Sequence, residues 1–152
     1  MGRLAFMVAA RSRPVYGVTN MEWHEMMSVG VAEFDEDHKR VIVLLTEIHE
    51  ALDLRQVGRA SELAAELLKL ATAHTEREEV FLRRIGFPDV ELVTNPQKES
   101  LTRITELVCQ FDQNTVAADD AILEMRLSFI DYLLSADINY KSYVKSKGLS
   151  DC

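Results

Sequence analysis

The chain has 152 residues, enough for one domain, and 47% apolar content supplies a full core and excludes intrinsic disorder. Seventeen Lys and Arg stand against 25 Asp and Glu, for a net charge of −8. Arg3, Arg11 and Arg13 fall in the first twenty residues, which hold no acid, so the remainder is more acidic still. Such a surface repels nucleic-acid phosphates and offers an anionic membrane no polybasic handle.

No apolar run reaches the roughly 18–20 residues that span a bilayer. The apolar stretch 4–10 is short and meets Arg11 at once, so 1–20 is expected to be a poorly ordered N-terminal extension. The folded part is expected at 21–152. Cys109 and Cys152 have neither CxxC nor zinc spacing, which predicts no disulfide and a cytoplasmic location.

Glycine and proline fall at separators, and the stretches between them follow helical spacing. The first predicted helix covers 35–54, with His38, Val41, Leu45, Ile48 and Leu52 on one stripe and Asp35 and Asp37 at its positive end. The second covers 61–85, with Leu63, Leu67, Leu70, His74, Glu78, Phe81 and Ile85 inward. The third is expected to start at Asn95–Pro96, an N-cap followed by proline at the first helical position, and to bury Leu101, Ile104, Val108 and Phe111. The fourth covers 118–144, with Ile122, Met125, Phe129, Tyr132 or Leu133, Ala136 and Tyr140 inward. No segment alternates with period two. The expectation is an all-α, up-down-up-down four-helix bundle.

Polar residues that break the apolar stripes carry the chemistry. His38 lies inward on the first helix, His74 and Glu78 one turn apart on the second, and Asp137 near the inward edge of the fourth. An unpaired imidazole or carboxylate in a bundle core costs several kcal/mol, roughly, so these groups need partners. Two imidazoles and two carboxylates converging from three helices suit a divalent metal. His24 and His49 read as ordinary residues, since His49 is about 16 Å along the axis from His38.

These residues also resemble the hemerythrin family, over 23–148. Trp23, then Ser28–Val29–Gly30–Val31 and Phe34–Asp35–Glu36–Asp37–His38, is similar to the family opening. His74–Thr75–Glu76–Arg77–Glu78–Glu79 with Gly86–Phe87–Pro88 resembles the second motif, and Asp137–Ile138–Asn139–Tyr140 with Tyr143 and Gly148 the last. The resemblance implies the single-domain bacterial form and a centre of two irons held by five histidines and two bridging carboxylates. His38 and His74 match histidines of one iron, and Glu78 and Asp137 the carboxylates. The three histidines of the other iron fall on Val93, Gln97 and Tyr132, and all three are lost.

Val93 has no donor atom and Gln97 is a weak ligand for divalent iron. Tyr132 reads as a packed phenol with a satisfied hydroxyl; its alternatives are a ferric ligand or a donor to a carboxylate. Pro96 is expected to delay the third helix and disturb the turn carrying Val93 and Gln97. The five-residue step from Tyr132 to Asp137 calls for a bulge if both are to aim inward. The resulting expectation is one metal per chain, iron first with Zn, Mn or Cu as alternatives, binding or sensing a diatomic ligand such as O2 or NO. A metal-free four-helix interaction module is the alternative from another class. A mononuclear iron oxidase or peroxidase is a third, without a motif for a distinct acid, base or substrate pocket, so the chain reads as a binding protein before an enzyme.

Overall fold

The computed structural model describes residues 21–112 and 118–149; the side chains at 111–112, 118–119 and 134–139 fall outside that description. The N-terminal extension, Cys152 and the side chains of Phe111, Ala136 and Asp137 are therefore outside the described residues. A 3₁₀ turn at Glu25–Met27 precedes α1 (Ala32–Asp53), α2 (Val57–Arg84), α3 (Val90–Asp112), α4 (Ala118–Asn139) and a short α5 (Lys141–Ser146). The four long helices pack in a closed ring, α1 on α2, α2 on α3, α3 on α4 and α4 on α1. This is the expected bundle. No helix among the described residues is long and apolar enough to cross a membrane.

The helix ends follow from identifiable contacts. Asp35 does not start α1 but lies in its first turn, where its carboxylate accepts from Ser28 Oγ at 2.5 Å and the Val29 N–H at 2.8 Å. Those bonds tie the incoming chain to the positive helix end, with Gly30 at φ 81° making the turn. At the other end of α2, Gly86 adopts φ 73° and the Phe87 N–H reaches the Leu82 carbonyl at 3.0 Å, a glycine C-terminal cap. The Tyr143 hydroxyl donates to the Gly86 carbonyl at 2.9 Å and so pins α5 onto this corner.

Two expectations about helix boundaries are corrected. Asn95 is not a cap: α3 begins at Val90 and carries Pro96 inside it. Proline removes one backbone donor there, but Val90, Val93, Thr94 and Gln97 are all buried, and burial of the two valines offsets the lost bond. Val93 and Gln97 consequently stay on one inward face, and the turn is not displaced. The fourth helix ends at Asn139, not at 144, because Tyr140 leaves helical geometry at φ −131° before α5. Within α4 the backbone is α-helical throughout, so no bulge resets the register between Tyr132 and Asp137.

The core has two apolar clusters. One fills the long body of the bundle with Leu44, Leu45, Leu63, Leu67, Leu107, Ile122 and Phe129. The other, at the end near Gly86, gathers Val29, Phe34, Leu82, Val93, Tyr140 and Val144. Tyr132 belongs to the first cluster and Tyr140 to the second, and both hydroxyls reach Glu78. The polar centre sits where the two clusters meet.

Candidate metal centre

His38, His74, Glu78 and Gln97 are all at most 3% exposed, and Glu78 is fully enclosed. His38 comes from the second turn of α1, His74 and Glu78 from successive turns of α2, Gln97 from α3 and Tyr132 from α4, so each long helix contributes. The two imidazole Nε2 atoms face each other at 3.3 Å. The Tyr132 hydroxyl lies 3.3 Å from His38 Nε2, in a hydrogen bond with His74 Nε2, and donates to Glu78 Oε2 at 3.0 Å. Glu78 also accepts from Gln97 Nε2 on the same oxygen and from the Tyr140 hydroxyl on the other. Its carboxylate thus has three donors.

Sequence reasoning missed two members of this centre. Asp37 accepts from His74 Nδ1 at 2.9 Å and is itself held by the Arg77 guanidinium at 2.7 Å. This fixes the ring of His74 and turns Nε2 toward the centre, the usual function of a carboxylate behind a ligand histidine. Tyr140 was legible as part of a motif but carried no assigned contact. His38, in contrast, has no partner for Nδ1 among the described residues.

The electrostatics separate the two histidines. Burial pushes the His38 pKa down to about 3, with the neighbouring His74 charge acting the same way. Burial would also lower His74, but its hydrogen bonds and charge attraction to Asp37 and Glu78 hold it at about 9. Burial opposes the charge on Glu78, yet His74 and the Tyr140 hydroxyl keep its pKa below the ordinary carboxylate value. Burial and the Glu78 charge raise both phenols, Tyr132 and Tyr140, well above 10.

The donor set can be tested against one ion and against two. Bonds of about 2.0–2.1 Å to nitrogen put neighbouring ligand atoms about 2.9–3.4 Å apart. The 3.3 Å between the imidazole nitrogens fits a single shared ion. Three or more His, Cys, Asp and Glu side chains do not cluster at metal-holding distances among the described residues, and Glu78 Oε2 stands 3.7 Å from His74 Nε2. Any closed set therefore needs a further donor, and two described oxygens lie at the centre: the Tyr132 hydroxyl, and Gln97 Oε1, which is buried with no hydrogen-bond partner among the described residues. At the positions matched to the second iron's histidines, Val93 is a buried apolar side chain, and Gln97 Nε2 and the Tyr132 hydroxyl both donate to Glu78. His49 pairs with Asp53 at 3.3 Å on α1 and His24 is exposed, so neither joins the centre. Cys109 is exposed.

Comparison with known proteins agrees with this architecture. The family model for the Hemerythrin HHE cation binding domain matches residues 29–131, and the chain belongs to that family. Bacteriohemerythrin of Stenotrophomonas maltophilia (strain R551-3) is 20% identical over 124 residues, covering 82% of this chain and 81% of its own length. Bacteriohemerythrin of Pseudomonas aeruginosa (strain LESB58) is 17% identical over 128 residues, 84% of each chain. No solved structure matches.

Proposed function

We propose that this hemerythrin-family protein binds one metal ion, iron in preference to Zn, Mn or Cu, through His38, His74, Glu78 and Asp137, and that this ion binds or senses a diatomic ligand such as O2 or NO. The observation that carries the diatomic ligand is a cavity of about 40 Å³ beside the imidazoles. Its wall is largely apolar, with Val41, Leu45, Leu67, Ile104 and Phe129 around the two histidines and Tyr132. One water needs roughly 10–15 Å³ of such space, so the cavity has room for a diatomic molecule. An apolar wall also favours O2 or NO over water.

When bound, the ion supplies open coordination positions and redox chemistry. The chain supplies the rest. Asp37 orients His74, Gln97 and Tyr140 hold Glu78, and the apolar clusters exclude bulk water. Reversible O2 carriage by a pair of irons sharing electrons is not proposed, because the second iron's three histidine positions hold Val93, Gln97 and Tyr132.

Protein loaded with ferrous iron is expected to take up one NO per chain by titration. Ala71 also lines the cavity, and Ala71→Val, which adds two methyl groups there, is expected to weaken that uptake while leaving metal content unchanged. Absence of NO uptake by iron-loaded protein, or equal uptake in the filled variant, overturns the proposal. A metal-free interaction module has one observation in its favour, the three donors on Glu78, which let the centre close on itself. Metal content separates the two readings.

A further inference from the structure

We propose that the N-terminal segment 1–20 covers an exposed apolar stripe on α4, seating its apolar run 4–10 along Leu123, Leu127 and Ile130. This surface is separate from the metal centre, on the outer side of the helix that carries Tyr132.

α4 is apolar on both sides. Ile122, Met125, Phe129 and Leu133 face the bundle core. Leu123, Leu127 and Ile130 fall at i, i+4 and i+7, one outward stripe, and are 54%, 53% and 37% exposed. Among the described residues of the other long helices, exposed large apolar side chains stand singly: Val43 on α1, Val57 and Val80 far apart on α2, and Leu92 on α3. Single ones need no cover, whereas a stripe on one face marks a contact surface.

The N-terminal chain arrives beside this stripe. Glu124 turns toward α3, where Arg103 Nε donates to it at 2.9 Å, and the stripe lies roughly 90° further round α4, on the flank toward α1. The 3₁₀ turn Glu25–Met27 packs against α4. Just before it, the Lys39 ammonium of α1 lies over the Trp23 ring at 5.3 Å. Lys39 follows His38, whose ring meets that of Tyr132, so the chain enters near the level of Ile130. Residues 11–20 join the apolar run to Met21, and ten residues span up to roughly 33–36 Å. The stripe is only about 10 Å long. Reach is ample.

Charge selects the occupant. The run 4–10 is wholly apolar and lies between Arg3 and Arg11, with Arg13 beyond and no acid in the segment. The stripe lies between Asp120 and Asp131, both exposed and about 16 Å apart along α4. Two cations bracketing an apolar run match two carboxylates bracketing an apolar stripe. A second copy docked through the same stripe about a two-fold axis would set acids against acids. An anionic membrane is repelled by the same pair.

The test uses full-length protein with a benzophenone amino acid in place of Phe6, irradiated and mapped by mass spectrometry. Attachment to residues 123–130 within one chain is expected. A covalent dimer joined at α4 shows a second copy on the stripe and overturns the proposal, as does attachment elsewhere or none. Tryptic cleavage after Arg11 in the folded protein gives an independent reading. It is expected to run about tenfold faster in Leu127→Gln than in wild type, for the loss of one leucine's contact. Leu127 lies on the outside of the bundle, so the substitution leaves the core intact. Val80→Gln, at an exposed apolar position on α2, is the control and is expected to match wild type. An unchanged rate in Leu127→Gln, or equal acceleration in both variants, overturns the proposal.

Discussion

Replacing Asp37 tests whether the chain prepares His74 for a metal. In wild type the Asp37 carboxylate accepts from His74 Nδ1 at 2.9 Å, behind a ring that is 3% exposed. Asp37→Ala leaves a buried N–H without an acceptor, at a cost of about 1–3 kcal/mol. It also frees the ring to rotate away from the centre. Carboxylates behind ligand histidines typically contribute about 10–100-fold in metal affinity, roughly 1.4–2.7 kcal/mol, and the two figures agree. Asp37→Asn keeps an oxygen but loses the charge. Since charge-assisted bonds are roughly twice as strong as neutral ones, about 3–10-fold weakening is expected from it. Titration with Zn(II), a redox-silent probe, against a chelator of known affinity at fixed pH measures both variants. Glu33→Ala is the control: Glu33 pairs with Arg77 at the surface, and its loss is expected to change affinity little. Wild-type affinity in Asp37→Ala would refute the positioning argument.

Other expectations follow from the same geometry. His74→Ala is expected to abolish metal binding while His49→Ala retains it, measured by metal content after gel filtration; equal content in the two contradicts the site. Because Pro96 leaves Val93 and Gln97 on one buried face, the triple variant Val93→His, Gln97→His, Tyr132→His is expected to gain a second metal, read by elemental analysis. Gly86→Ala is expected to lower stability by about 1–2 kcal/mol in denaturant unfolding, from the left-handed backbone alone, since its Cβ would meet nothing closer than the Tyr143 hydroxyl at 3.8 Å.

Much of this was legible in the chain because period 3.6 places side chains without knowledge of partners. His38, His74, Glu78 and Tyr132 lie on apolar stripes and are buried as expected. Local signals failed where distant contacts decide. Asn95–Pro96 is a good start signal by itself, but burial of Val90 and Val93 carries the helix back past it. Tyr140 ends α4 because its ring fills the second apolar cluster while its hydroxyl reaches Glu78, a contact 62 residues apart in sequence. Asp37 escaped notice because it lies beside the inward stripe, adjacent to His38, and acts through a histidine on another helix. Charge and spacing identify such a carboxylate only once the α1–α2 packing is known. Tyr132 shows a further limit: its position was readable, but which half of the centre its hydroxyl serves depends on side-chain reach across the bundle.

The central claim is that three substitutions removed one ion's site and left the other's. Its most direct measurement is metal per chain, by elemental analysis of full-length protein expressed with iron and freed of loosely bound metal. The account predicts one. Two tightly bound ions would contradict it and force Gln97 or Tyr132 into the role of second-iron ligand. None, in protein that is folded and exposed to excess iron, would contradict it as well and leave the closed hydrogen-bond network on Glu78 as the reason the centre was kept.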